Sequence, residues 1–233
     1  MKTSLLLAAL LTGATGAAHA QNIISWAYNN GQAIPATGSA GVLAATNWNL
    51  TGDAGSLSLS YNNATPSGVT LSLAGGFGAW GIGGGVQDPN GTYNNAIFDG
   101  YYNSLGSSLT LGNIPYSTYD VYVYFSSDQD GRTGTVSDGT TAFSFSTDTR
   151  VKVDAHGNFV FALTTDTGAD NPSADYAFFS GLTGSSQTFT IANASDGMGF
   201  AGFQIQEVPE PSTMAITVLG FGLLFRSWRR RKI

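Results

Sequence analysis

Outside its two ends the chain is written in short runs where apolar and polar residues alternate, and a period of two admits little besides β-strands. Leu57, Leu59 and Tyr61 alternate with Ser58 and Ser60, and Val69, Leu71 and Leu73 with Thr70 and Ser72. Further runs hold Leu109 and Leu111; Val121, Val123 and Phe125 against Tyr122 and Tyr124; Phe143 and Phe145; Phe159, Phe161 and Leu163; Phe189 and Ile191; and Ala201, Phe203 and Ile205. Turn formers separate them: Asn62-Asn63, Pro66-Ser67-Gly68, Asp99-Gly100, Asp130-Gly131, Asp138-Gly139, His156-Gly157-Asn158, Gly184 and Asp196-Gly197. About ten strands result, with no helical pattern longer than two turns between the ends and no repeat of fixed period. The expected fold is all-β, an antiparallel two-sheet sandwich of jelly-roll-like form. Thirty-one glycines fit such a turn-rich chain.

Charge is unevenly divided. From Gln21 to Val208 three bases (Arg132, Arg150, Lys152) face fourteen acids, a net of −11, while Arg226, Arg229, Arg230, Arg231 and Lys232 crowd the last eight residues. An acidic body argues against nucleic acid as a partner, because phosphate binding needs basic patches that displace counterions. The chain has no cysteine, which excludes thiolate metal sites and a cysteine nucleophile and is compatible with export.

The first twenty residues join a basic start at Lys2, an apolar run from Leu5 to Leu11, and small residues at Ala18 and Ala20 before Gln21. These are the three parts of a secretory signal peptide, so 1–20 is set apart from the fold as a removable signal helix. At the other end Val208-Pro209-Glu210-Pro211-Ser212-Thr213 leads into an apolar, uncharged stretch from Met214 to Phe225. A helix from Ser212 to Trp228, capped by Ser212 or Thr213, would be about 25 Å long, a short transmembrane span. The basic cluster that follows should stay on the cytoplasmic side and leave the acidic body, 21–207, outside.

Pro209-Glu210-Pro211, a short hydrophobic helix and an arginine-rich terminus, in that order, resemble the PEP-CTERM sorting signal over 208–233. The resemblance implies processing by an exosortase, a membrane enzyme that acts near the Pro-Glu-Pro. It also implies transient anchoring in the inner membrane of a Gram-negative bacterium that makes exopolysaccharide, then transfer to the cell surface or matrix. A second resemblance concerns the body. The stretch Tyr119 to Phe125 and the hairpin at Asp138-Gly139-Thr140-Thr141 are similar to central strands of galactose-binding-like jelly rolls.

Candidate sites are few. Asp128 and Asp130, two residues apart ahead of Gly131, could offer oxygens to Ca²⁺, or one of the two could pair with Arg132; Asp166, Asp170 and Asp175 form a second acidic loop. Sugar binding needs aromatic faces near hydroxyl partners, and Trp80 in the glycine-rich run 75–85, with Tyr101 and Tyr102 after Asp99-Gly100, meets that requirement best. The glycine-rich run has neither the Lys nor the following helix of a phosphate loop. Once the signal is removed His156 is the one histidine, placed in a turn, and neither a Gly-x-Ser-x-Gly elbow nor a His-Glu-x-x-His motif is present. Sequons at Asn49, Asn63, Asn90 and Asn193 carry no meaning for a bacterial export route. The sequence therefore reads as a non-enzymatic envelope or extracellular-matrix protein that binds or organises exopolysaccharide. An extracellular glycan hydrolase with two unassigned carboxylates and a purely structural biofilm scaffold are the competing readings.

Overall fold

A computed structural model describes residues 22–28, 34–51, 56–77, 87–103, 105–148, 153–156, 158–193 and 197–209. Among these, the chain forms β1 (Ile23–Tyr28), β2 (Asn49–Thr51), β3 (Ser56–Ser60), β4 (Pro66–Ala74), a one-turn α1 (Asn94–Ile97), β5 (Tyr102–Asn103), β6 (Gly106–Gly112), β7 (Thr118–Ser127), β8 (Thr133–Ser137), β9 (Ala142–Ser146), β10 (Leu163–Thr164), β11 (Tyr176–Thr183), β12 (Ser186–Asn193) and β13 (Met198–Glu207). They build two sheets packed as a sandwich. One runs β10-β11-β7-β13-β1-β2, with β5 also on β13, and the other runs β3-β4-β6-β12-β8-β9. The all-β two-sheet expectation holds. The pairing is antiparallel except for two short parallel ladders, β1 with β2 and β10 with β11, both at sheet edges.

The six-stranded sheet follows its sequence literally. Leu71, Leu109, Leu111, Val136, Phe145, Phe189 and Ile191 point into the core, while the alternating Ser and Thr face away. Its strands contain no Asp, Glu, Lys or Arg. Thr110 and Thr188 oxygens meet across the outer face at 2.9 Å. Between the sheets the rings interlock: Phe125 stacks on Phe145 at 3.6 Å, and Phe179 lies 5.3 Å from Phe143 and 5.1 Å from Phe189. This dense aromatic packing is the main apolar burial holding the layers together.

The seven-stranded sheet is buried on both faces along β1, most of β13 and the second half of β7. Ile24, Trp26, Val121, Val123, Phe203 and Ile205 face the other sheet. Ala27, Tyr124 and Ala201 face the opposite way, under a cover formed by residues 34–48, α1 and the segment around Phe161. A bulge between Phe200 and Gly202 shifts the register of β13 on β7, and β13, packed on both faces, lacks an exposed face over most of its length.

The sides of the sandwich are stitched. On one side Asn49 donates to the carbonyls of Ser25 (2.8 Å) and Ser60 (2.9 Å) and accepts from the Ser60 amide, joining β1 and β2 to β3. On the other the loop after β10 borders β9: the amides of Ser144 and Ser146 donate to the carbonyls of Asp166 and Pro172, and the Ala174 amide to that of Ser146.

Two expectations of local structure change. Pro66-Ser67-Gly68 opens β4 instead of breaking the chain, because Gly68 takes a positive φ beside a register shift and lets the strand continue. Phe159 and Phe161 do not sit in a strand but in an extended segment laid on the outer face, where Phe161 packs 5.8 Å from Tyr124.

Candidate functional site

The outer face of the seven-stranded sheet divides into a sealed half and an open half. In the sealed half Gln204, fully buried, uses both ends of its amide. Its oxygen accepts from the Leu43 amide (3.1 Å) and the Tyr124 hydroxyl (2.6 Å), and its nitrogen donates to Ser25 Oγ (3.1 Å) and the Leu43 carbonyl (2.7 Å). Tyr124 in turn accepts from the Val42 amide at 2.9 Å. A Cβ on Gly41, which also has φ of +95°, would stand 2.3 Å from the Gln204 oxygen, so the cover lies flat only because that residue is glycine. Asn94 Oδ1 fixes the Gly41 amide at 2.9 Å, and Asp88 holds the Asn94 amide at 2.9 Å. Burial pushes the Tyr124 phenol well above its ordinary range, although the Val42 amide partly offsets this by favouring the phenolate. A satisfied network of this kind fixes a cover in place and offers nothing to a substrate.

Beyond the cover the floor opens onto rings. Tyr122 and Phe178 are direct partners across β7 and β11, their rings 4.7 Å apart, and Tyr176 stands 6.1 Å from Tyr122. All three are partly exposed. A bulge between Phe179 and Leu182 sets Ser180 and Gly181 opposite Asp120. Gly181, at φ +68°, donates its amide to Asp120 Oδ1 at 2.8 Å and so fixes the carboxylate on the strand position next to Tyr122 on the same face. Gln206, paired with Asp120 on β13, completes the floor. Burial first, then the charge of Asp120, raises the Tyr122 phenol.

The structure places the sequence-derived candidates elsewhere. Tyr101 is 0% and Tyr102 7% exposed, which corrects the expectation that they present faces to a sugar. Tyr102 belongs to β5, and its hydroxyl donates to the Gly76 carbonyl at 2.8 Å; a Cβ on Gly76 would lie 2.5 Å from its ring. The glycines therefore serve to bring backbone onto a core tyrosine. Trp80 lies outside the described residues. Asp128 and Asp130 are both exposed, and Asp128 pairs with Arg132 at 2.8 Å, so a cation would have to displace a guanidinium. Among the described residues no group of three or more acids or histidines could hold a metal ion.

Several other carboxylates brace turns and loops. Asp138 Oδ1 accepts the amides of Thr140 and Thr141, Asp154 Oδ1 those of His156 and Asn158, and Asp166 those of Gly168, Asp170 and Asn171, while buried Asp175 accepts from Ala162. The Asn-x-Thr pattern has the same origin: Asn63 and Asn90 each accept from the amide and hydroxyl of the Thr two residues on. The ring floor was missed because only one of its strands was read. Tyr122 alternates visibly with Val121 and Val123, but Tyr176-Ala177-Phe178-Phe179 has no polar alternation to mark it.

The last strand leads straight into the tail. β13 ends at Glu207, and the Val208 amide still donates to the Thr118 carbonyl at 3.0 Å, leaving Pro209 exposed at the rim of the sandwich. Residues 207–232 match the family model described as the PEP-CTERM protein-sorting motif. The tail is a sorting signal. It marks an exported protein that is sorted by an exosortase and anchored in the membrane meanwhile. The motif residues Glu210 and Pro211, the apolar stretch, the basic cluster Arg226, Arg229, Arg230, Arg231 and Lys232, and the signal-peptide residues Ala18, Ala20 and Gln21 lie outside the described residues. Among the described residues no helix is long and apolar enough to cross a membrane. No curated protein and no solved structure matches the chain, so nothing supports the galactose-binding-like resemblance of its body.

Proposed function

We propose that the chain is a non-catalytic surface protein of a Gram-negative bacterium whose sandwich, once sorted, associates with extracellular polysaccharide. The sorting motif carries this reading. It starts on the last residue of β13, so the body is delivered outward with its C-terminal rim at the point of processing. The use of the carboxylates favours binding over hydrolysis, since a glycosidase needs two of them about 5–9.5 Å apart in a cleft, and six of the twelve described ones, Asp88, Asp120, Asp138, Asp154, Asp166 and Asp175, accept backbone amides. An acidic body adds solubility outside the cell without favouring polyanions.

The test is fractionation of cells that express the full chain with and without the processing enzyme. Processed chain should leave the membrane, follow the matrix polysaccharide on sedimentation, and be released when that polysaccharide is enzymatically degraded. Intact chain in the cytosol, or a matrix fraction unaffected by polysaccharide removal, would overturn the reading.

A further inference from the structure

We infer that the open floor formed by Tyr122, Tyr176 and Phe178, with Asp120 and Gln206 at its end, binds a chain of hexopyranose sugars free of negative charge. This rests on the polysaccharide reading above and names the site and the chemical class.

Four observations point the same way. Three partly exposed rings share one sheet face, with Tyr122 4.7 Å from Phe178 and 6.1 Å from Tyr176, against the tendency of such rings to be covered as Tyr124 is. Aromatic faces attract the electropositive C–H faces of sugar rings, and they attract ammonium groups more strongly. The Asp120 carboxylate is pinned through Oδ1 by Gly181, which leaves Oδ2 to accept from a ligand hydroxyl or ammonium at the end of the ring strip. Gln206 adds a donor and an acceptor beside it. Charge sets the sign of the partner: the Asp120 carboxylate, on a body with a net of −11, disfavours uronic-acid chains and accommodates neutral or amine-bearing ones.

Size selects a small cross-section. Three strands at about 4.8 Å spacing and two outward residues at about 6.8 Å give a floor on the order of 150 Å². A stable protein interface needs roughly 800 Å² per partner. The floor therefore suits a few sugar rings in a row better than a folded protein.

The test is interferometry of the full chain in mild detergent over three immobilised probes: a neutral β-glucan (laminarin), chitosan oligosaccharide, and polygalacturonate. Laminarin and chitosan should bind at least tenfold more tightly than polygalacturonate. Tyr122→Leu and Phe178→Leu, which keep apolar volume but remove the ring, should each weaken binding at least tenfold, while Tyr122→Phe retains it within about threefold. Asp120→Asn, which still accepts from Gly181, should abolish the preference for chitosan over laminarin. Urea midpoints within error of wild type establish that the variants are folded, and if Tyr122→Leu unfolds, Phe178→Leu decides. If the wild type binds the probes and both leucine variants bind equally well, the site is wrong and the polysaccharide reading survives. Polygalacturonate binding best would overturn the charge argument and with it the inference. A wild type that binds neither laminarin nor chitosan sinks the inference, and if it also fails to sediment with native matrix the broader reading falls too.

Discussion

The two sheets of this sandwich are made from similar residues yet live in different environments. The six-stranded sheet buries one face and shows the other, a charge-free field of Ser and Thr, to solvent. The seven-stranded sheet buries the face toward its partner and one half of the other, and leaves the half with the ring floor near Tyr122 open. The difference teaches where sequence change should matter: on both sides of one sheet and on a single side of the other.

The largest loss should come from the shared interior. Phe145→Ala, which removes the ring stacked on Phe125, is expected to cost about 3–5 kcal/mol in urea denaturation. A cost under about 1 kcal/mol would mean that the sheets do not interlock as described. Next comes the sealed outer half. Gln204→Leu strands the Leu43 backbone groups and the Tyr124 and Ser25 hydroxyls and should cost about 2–4 kcal/mol, almost as much as a core truncation although it lies outside the sandwich interior.

Alkaline titration gives a smaller and graded effect. Burial raises the phenols of Tyr124, Tyr116, Tyr119 and Tyr176 as well as Tyr122. Above about pH 10 the unfolded chain releases protons that the fold retains, so stability should be flat below that pH and fall as pH rises further. Tyr124→Phe should reduce the slope, and an unchanged slope would show that Tyr124 is not sealed. The smallest effect belongs to the open hydroxyl face, where Thr190→Val should stay within about 0.5 kcal/mol of wild type. A loss above about 1 kcal/mol there would end the contrast between the sheets.

The same contrast explains what the sequence disclosed. Where one face meets water, polar and apolar residues alternate and strands such as β4 and β12 are readable. Where both faces are buried, alternation vanishes, and Ile23–Tyr28 shows an apolar run broken by Ser25; Tyr176–Thr183 is open on one face, but its outward Tyr176 and Phe178 are aromatic, so no polar alternation marks it. The sorting tail was legible because three physically distinct parts must occur in one order. The ring floor was not, since it exists only through the register of β7 on β11, which no local pattern encodes. Tyr102 misled for a related reason: its burial depends on Gly76 and Gly199, small residues that admit neighbouring backbone, and a string of letters does not reveal what comes close.

The side stitching by Asn49, and by the loop running along β9, bears on life in a crowd. Strand rims with idle amides are places where identical molecules, concentrated on one surface, can zip together. Here one rim is joined to its neighbouring sheet through a single asparagine amide, and the opposite one is occupied by the protein's own loop. Copies crowded on one surface thus stay separate particles instead of fusing into fibres.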